Sequence, residues 1–302
     1  MRLGAAIGTV TAALVLATAA SARELTSAYV VTVVANNPGA GGTDWHSDLT
    51  LYNPHQYPLP VVLQFLQTGR DNSGSVPTVE IELYPWETLN LWDVLGPNGF
   101  DARGRIGALL AYADDQRIDC AGIAAGCDFA VFSRTYTLRP GGGAGEYGQA
   151  LPGFPSHLGL DRSVIAYLPQ VMNDGEFRTN LGVASWTGSF VRIRLELQDP
   201  GGTVIDRQDV WIPPFGHAHW RLETGVTGGT VAVWILDGPA DAMVYPYASV
   251  VNEGTGDPVN VEAHLTAVGL TAQASRVRSQ RPLPGRAAVP GFERDLLPRE
   301  RR

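Results

Sequence analysis

The stretch FVRIRLELQD, residues 190–199, decides the fold class because its side chains alternate between apolar and charged. Aliphatic residues occupy positions 191, 193, 195 and 197, and charged residues occupy positions 192, 194 and 196. Successive side chains of a β-strand point to opposite faces of the sheet, so this pattern predicts a strand with one buried face. VEIELYP, residues 79–85, shows the same alternation, which is typical of antiparallel sheets.

Turn-forming residues separate the short apolar runs along most of the chain. The 302 residues include 35 Gly and 21 Pro, with clusters such as RDNSGS (70–75), DPGG (199–202) and EGTGDP (253–258). Short strands divided by turns of this kind predict an all-β protein of the sandwich or barrel type.

Six segments recur in the same order in the two halves of the chain, which indicates an internal repeat. The pairs are SAYVVTVVANN (27–37) with SVIAYLPQVMN (163–173), DWHSDLTLYNP (44–54) with EFRTNLGVASW (176–186), PVVLQFL (60–66) with VRIRLEL (191–197), LYPWETLNLWDVL (83–95) with IPPFGHAHWRLET (212–224), GALLAYAD (107–114) with GTVAVWIL (229–236), and FAVFSRTYT (129–137) with MVYPYASVV (243–251). Each copy has roughly the length of an immunoglobulin-like sandwich, about 100 residues. The sequence therefore predicts two tandem immunoglobulin-like antiparallel β-sandwich domains, over residues 23–155 and 156–275.

The chain opens with MRLGAAIGTVTAALVLATAASA, residues 1–22, in which one Arg precedes a long apolar run. The run ends in Ala20-Ser21-Ala22, a small-x-small pattern typical of a signal-peptide cleavage site. We expect a secreted protein, periplasmic, cell-surface or extracellular, with no membrane span after cleavage. An uncleaved membrane anchor is the alternative reading of the same run.

Charge is distributed unevenly between the body of the chain and its end. The formal net charge is −8, and the last 27 residues contain eight Arg against three acidic residues, which gives them +5. Because the body is acidic, we expect no nucleic-acid partner. The basic, Pro-rich tail over residues 276–302 lacks periodicity and is predicted to be disordered.

Cys120 and Cys127 are the two cysteines of the chain. In an oxidising compartment a pair this close is expected to form a disulfide, here one that clamps a hairpin loop between two apolar runs. A zinc site would require His or further Cys ligands nearby, and the surrounding sequence contains neither.

The motifs of both halves resemble those of a known family. W-x-S-D-L-x-L-x-N-P (45–54), S-R-T-Y (133–136) and G-x-Y-G-Q (145–149) are similar to a paired module of exported bacterial proteins, and F-R-T-N-L-G-V-A (177–184) resembles its second part. The resemblance covers nearly all of residues 27–265 and implies an immunoglobulin-type fold and export. No activity is known for that family, so the resemblance implies no catalytic residue.

Asp44, His46, Ser47 and Asp48 bring catalytic residue types together within five positions. On a strand, however, Ser47 faces the core together with Trp45 and Leu49, whereas His46 faces outward, so the pair cannot share the hydrogen bond that activates a nucleophile. Arg134 lies in a mostly apolar run and needs a carboxylate partner. We predict a structural ion pair or hydrogen bonds involving Asp48 and Arg134, with Asp93 as the alternative acid and anion binding as the alternative role.

Two further groups of side chains are candidates for binding. His217 and His219 share one strand face and match Thr88 and Asn90 in the first copy, so we expect surface histidines and no metal site. Trp86, Trp186 and Trp211 are a possible ligand platform because exposed indoles bind sugars and proteins. Packing between the domains, or local cover for strand ends, is the alternative role for these tryptophans.

The sequence thus predicts an exported, non-enzymatic structural or binding module that needs no cofactor or metal. Its expected partner is a protein or polysaccharide of the cell envelope or its surroundings. The alternative is a carbohydrate-binding module that uses the exposed tryptophans. An enzyme is the least favoured reading because no convergent set of acid and base groups is identifiable.

Overall fold

The computed structural model of the protein describes residues 25–123, 126–138, 145–267 and 283–289. Across these ranges the chain consists of β-strands and loops, with one short 3-10 turn and no α-helix. No helix that could span a bilayer therefore occurs in the part of the chain that the structure describes. The predicted signal segment, residues 1–22, lies outside the described residues.

The described residues of the first half form nine strands. They are β1 (Ala28–Pro38), β2 (Asp44–Tyr52), β3 (Leu59–Gln67), β4 (Ser75–Leu83), β5 (Thr88–Leu91), β6 (Arg105–Ala113), β7 (Ala130–Leu138), β8 (Glu146–Ala150) and β9 (Phe154–Pro155). The remaining strands are β10 (Val164–Asn173), β11 (Phe177–Ser185), β12 (Val191–Gln198), β13 (Val204–Ile212), β14 (His217–Arg221), β15 (Val226–Asp237), β16 (Val244–Asn252), β17 (Pro258–Glu262), β18 (His264–Ala267) and β19 (Gly285–Ala288).

The same strand order occurs twice. In the first half the neighbours run β4-β3-β6-β1 and β5-β2-β7-β8, and in the second they run β13-β12-β15-β10 and β14-β11-β16-β17. Matching β1 through β8 with β10 through β17 superimposes the two orders, and all pairs within them are antiparallel. The six recurring sequence segments fall on matched strands.

The pairing register corrects three of the six sequence alignments by one residue. Leu63 lies opposite Ala111, and Leu195 lies opposite Val233, so Leu63 matches Leu195. The sequence alignment had matched Leu63 with Arg194. The first and sixth segments shift by one residue in the same way, as their ladder partners show. A one-residue slip moves every side chain to the opposite face, so only the ladder gives the correct match.

Each half has its own hydrophobic core between two layers of strands, and in the first half the pairing of β1 with β2 joins the two layers. The first core includes Leu63 and Leu109 from one sheet and Leu49 from the other, all fully buried. The second is built in the same way from matched strands, with Leu195 and Leu181 on opposite sides. Burying such side chains contributes roughly 1.5–3 kcal/mol each.

A third buried cluster joins the two halves. The outer face of the β4-β3-β6-β1 sheet is mostly aliphatic, and side chains of the second half cover this aliphatic part of it. The cluster contains Val30, Val62, Leu66, Val76, Ala108, Leu110 and Tyr112 from the first half with Ala184, Trp186, Phe215, Met243 and Tyr245 from the second. The amide of Asn72 donates a 2.9 Å hydrogen bond to the carbonyl of Phe215 across this interface.

Trp186 is therefore not part of an exposed platform. The side chain is 4% exposed because the turn that carries it lies against the first half. This corrects the prediction of a ligand platform at that residue and agrees with the alternative reading, packing between the halves.

The disulfide between Cys120 and Cys127 forms, with 5.3 Å between the Cα atoms. It does not clamp a hairpin, however, because β6 pairs with β1 and β3 whereas β7 pairs with β2 and β8. The bridge instead closes the connection from one sheet to the other, next to the first core. Two apolar runs adjacent in sequence suggested a hairpin, but they belong to different sheets.

Part of the predicted disordered tail is a strand, which corrects that prediction for residues 283–289. β19 pairs in parallel with β4, and Gly285 lies opposite Ser75. Arg286 contacts Asp114 at 3.2 Å and Glu80 at 3.4 Å, so the basic residue of the tail binds the acidic body. The other residues of 276–302 lie outside the described residues.

Replacing Trp186 by Ala is expected to lower the free energy of unfolding by about 3–5 kcal/mol, because it leaves a cavity in the cluster that joins the halves. Urea unfolding followed by circular dichroism measures the change. Trp211→Ala is the matched control, since that indole is 52% exposed and should cost under about 1 kcal/mol. Equal losses in the two variants would contradict a buried interface.

Replacing Arg286 by Ala is expected to lower the free energy of unfolding by about 1–3 kcal/mol, because it leaves the Asp114 carboxylate, only 2% exposed, without its cation. Arg103→Ala is the control, since the Arg103–Asp101 pair is exposed and should contribute at most about 1 kcal/mol. An unchanged midpoint for Arg286→Ala would show that the tail strand is not bound in solution.

Candidate functional site

The cluster at residues 44–48 is not a nucleophilic site. Ser47 is fully buried; its hydroxyl accepts a 2.8 Å hydrogen bond from the backbone N–H of Ala35 and lies 2.7 Å from the Thr135 hydroxyl. His46 lies on the other face, 3.2 Å from Asp93 and 3.4 Å from Asp44. The hydrogen bond to Asp93 raises the pKa of His46. Serine and histidine therefore have separate partners.

Asp48 and Arg134 lie opposite each other on β2 and β7. The Nε of Arg134 donates a 2.9 Å hydrogen bond to one carboxylate oxygen of Asp48, and the backbone N–H of Asp93 donates to the other at 2.9 Å. Arg134 also contacts Glu146 at 2.9 Å and stacks 4.4 Å above the ring of Tyr136. Both oxygens of the buried Asp48 carboxylate thus have local donors, and the pair holds neighbouring strands and a loop together.

His217 is not a surface residue, which corrects the prediction. It points away from the second core, as the repeat indicated, but the first half covers that face and leaves His217 fully buried. Its Nδ1 lies 2.6 Å from the Thr68 hydroxyl and its Nε2 lies 3.0 Å from the Tyr247 hydroxyl. His219 is partly buried, 3.0 Å from the same Tyr247 hydroxyl. Burial lowers the pKa of His217 to about 3 and that of His219 to about 4.

Trp86 and Trp211, the other two tryptophans of the predicted ligand platform, are exposed but lie in different halves. Trp86 is 61% exposed in the turn between β4 and β5, and Trp211 is 52% exposed on β13. Arg192 lies over the Trp211 ring at 5.8 Å. They therefore offer two separate surfaces. Within the described ranges, no group of three His, Cys, Asp or Glu side chains could hold a metal ion.

A cleft of about 290 Å³ lies between the two halves, and sequence reasoning missed it. Val33 and Ile106 supply apolar wall from the first half, where Trp45 also lines the cleft. Arg178 and Arg221 line it from the second half. Trp45 is only partly buried, so the prediction that it lies in the core is wrong. The tryptophan lies at the start of β2, where it pairs with Asn37 of β1, and its side chain lines the cleft.

The polar wall of the cleft is positively charged. Arg178 donates a 2.6 Å hydrogen bond to one oxygen of Glu253, and Arg221 donates a 3.1 Å bond to the other. Two guanidinium groups thus share one carboxylate, which leaves one net positive charge. No Asp or Glu side chain is among the residues that line the cleft. Such a wall favours an anionic group on a ligand.

The Ser249 hydroxyl and the His219 imidazole of the cleft have different partners. Ser249 donates a 2.9 Å hydrogen bond to the side chain of Gln149, and His219 bonds to Tyr247. Ser249 and His219 therefore do not form with each other the nucleophile and base pair that covalent catalysis requires. An apolar wall, a partly exposed indole and a cationic wall instead suit the binding of a small polar molecule.

Comparisons with known proteins assign no family to the chain. No family model matches it, and a search of curated proteins finds no match. Among solved structures, a lectin from Pleurotus ostreatus in complex with GalNAc is 8% identical, aligns with 80% of this chain and 84% of the lectin chain, and has a TM-score of 0.18. A similarity at this level defines neither a fold nor a function.

The buried His217 predicts a loss of stability on acidification. Its folded pKa is about 3, against about 6.5 in the unfolded chain, so the unfolded state binds more protons between these values. The contribution of His217 to the free energy of unfolding is therefore present above pH 6.5 and is lost as the pH falls. We expect a loss of about 2–3 kcal/mol from this residue at pH 4.5. Urea unfolding at pH 7.5, 6.0 and 4.5 measures the slope.

His217→Gln should be less stable at pH 7.5, because it disturbs the bonds to Thr68 and Tyr247, but its slope should be shallower. His264→Gln is the control, since this side chain is exposed on β18. Parallel profiles for the parent and His217→Gln would contradict the buried, neutral imidazole.

Proposed function

We propose that the protein is an exported, non-enzymatic binding module made of two immunoglobulin-like sandwich domains, with its ligand site in the cleft between them. The observation that carries the proposal is the cleft itself, which combines Trp45 with the cationic wall of Arg178 and Arg221. The repeated strand order and the separate core of each half support the two-domain description. We expect it to act at the cell surface or in the extracellular space.

The chemistry of the cleft favours a small saccharide that carries a carboxylate. A sugar ring has an apolar face that packs on an indole, and hydroxyls that bond to amide side chains such as Gln149 and Asn180 in the wall. A uronate-type carboxylate would lie against Arg221, whose side chain is 47% exposed and reachable. The volume of about 290 Å³ accommodates one or two sugar units of a longer chain.

The cleft is held in its binding shape before a ligand arrives. Its two walls belong to different halves, and the buried cluster containing Trp186 and Phe215 fixes the halves against each other. Arg178, whose side chain is 7% exposed, is oriented by Glu253. A site that needs little rearrangement loses less conformational entropy on binding, and this favours a recognition role.

An array of neutral and acidic oligosaccharides, followed by calorimetry on the hits, tests the proposal. We expect binding of carboxylate-bearing glycans, with affinity lowered tenfold or more by Arg221→Gln, since a charge-assisted hydrogen bond contributes about 1.5–3 kcal/mol. Trp45→Ala should weaken binding of acidic and neutral analogues alike, because it removes the apolar contact.

Matched controls separate the cleft from the exposed tryptophans. Arg207→Gln removes a charge from an exposed pair outside the cleft, and Trp211→Ala removes an indole outside it. Neither should change the affinity. If Trp211→Ala abolished binding while Trp45→Ala did not, the surface-platform alternative would replace the cleft. An array without any acidic-glycan binding would refute the saccharide assignment.

A further inference from the structure

Two matched turns present an aromatic side chain in the two halves. We define the Trp86 turn as residues 84–87, between β4 and β5, and the Phe215 turn as residues 213–216, between β13 and β14. The ladders of the flanking strands match position 86 with position 215. Both aromatic residues adopt a left-handed backbone, with φ of 60° at Trp86 and 45° at Phe215. This conformation is unfavourable for residues other than Gly, Asn and Asp.

The same backbone hydrogen bonds hold both turns in place. Three hydrogen bonds of the Trp86 turn have an equivalent in the Phe215 turn, with donors and acceptors at matched positions. They are Trp86 N–H to His55 C=O (3.1 Å) with Phe215 N–H to Thr187 C=O (2.8 Å), Glu87 N–H to Tyr84 C=O (3.1 Å) with Gly216 N–H to Pro213 C=O (2.9 Å), and Asn53 N–H to Glu87 C=O (2.9 Å) with Ser185 N–H to Gly216 C=O (2.8 Å). The same turn therefore occurs in both halves, held by backbone hydrogen bonds and carrying an aromatic side chain at the matched position.

The Phe215 turn shows how such a turn packs when its aromatic side chain is buried against a partner surface. Phe215 is 3% exposed and lies in the cluster formed with the aliphatic outer face of the first half, which includes Val62 and Leu66. Asn72 closes the contact through its backbone N–H, 3.0 Å from the Pro214 carbonyl, and its side-chain amide, which bonds to Phe215. The turn thus places Phe215 in the apolar cluster on the outer face of a β-sheet, while its backbone bonds to the loop between β3 and β4.

The Trp86 turn has the same construction but is open to solvent. Trp86 is 61% exposed and Tyr84 is 57% exposed. An aromatic residue in a left-handed conformation with this exposure adds little to the stability of its own domain, where Gly would be favoured. Large exposed aromatic side chains on rigid supports are typical anchors of protein interfaces.

We infer that the Trp86 turn is a protein-docking site that inserts Trp86 into the aliphatic face of a β-sheet on a different protein, as Phe215 inserts into the first half of this chain. This surface is separate from the proposed ligand cleft, because neither Trp86 nor Tyr84 lines that cleft.

A second copy of the chain is the less suitable partner. The aliphatic face of the first half is already covered by its own second half. The matched face of the second half has Arg194 where the first has Val62, and Gln198 where the first has Leu66. Arg194 is paired with Asp209 at 2.7 Å, so an indole docking there would displace a solvated ion pair.

A benzophenone amino acid in place of Trp86 tests the inference in the cells that produce the protein. The matched control carries the same photoreactive group in place of Trp211, also exposed. We expect cross-linking to a different protein at position 86 only, with cross-linked peptides mapping to alternating aliphatic residues of one strand. Excess unlabelled parent should compete for this cross-link, and excess Trp86→Gly should compete at least tenfold less well.

The other outcomes would overturn the inference. These are equal cross-linking at positions 86 and 211, cross-links between two copies of the chain, and cross-links that map only to loops or helices of the partner. Trp86→Gly should also keep or raise the Tm, because Gly relieves the left-handed backbone; a Tm lowered by several degrees would assign Trp86 a purely structural role. Binding of acidic glycans should be unchanged in Trp86→Gly, so failure here is distinguishable from failure of the cleft proposal.

Discussion

The outer face of the β4-β3-β6-β1 sheet is the constraint on which the rest of the structure depends. A sheet in a two-layer domain normally has one buried and one solvated face, but here β3 is buried on both faces over residues 59–66. The aliphatic surface must be covered, and the second half covers it with Trp186 and Phe215. Because this contact fixes the relative position of the halves, it also buries His217 and leaves a defined cleft where the two surfaces diverge.

The sequence predicted the strands well because their patterns are local. The alternation in residues 190–199 corresponds to β12, whose Arg192, Arg194 and Glu196 remain on a partly exposed face. The same reasoning placed Ser47 inside and His46 outside on β2. It also identified Asp48 and Arg134 as partners, since a charge in an apolar strand requires one. These features depend on side-chain period and on elementary electrostatics, and both can be read from one strand at a time.

What could not be predicted depends on contacts between distant segments. The exposure of Trp186 and His217 is decided by the other half of the chain, and a strand pattern gives no information about what covers its outer face. One signal was present, because the run in β3, apolar over residues 59–66 except for Gln64, contrasts with the alternation of β12 and indicates a sheet buried on both sides. No local sequence pattern indicates the cleft lined by Arg178 and Arg221, since its walls come from segments far apart in sequence.

The strand formed by residues 285–288 covers the edge of the sheet at β4. After the second half is complete, the polypeptide returns to the first half and adds a strand beside β4. Without that strand β4 would be an outer edge of its sheet, with unpaired backbone groups available to any extended segment of another chain. β19 thus covers an edge of the sheet that would otherwise be open to pairing with another chain. Any foreign strand that binds there would first have to displace a tethered competitor, whose effective concentration is set by the connecting segment.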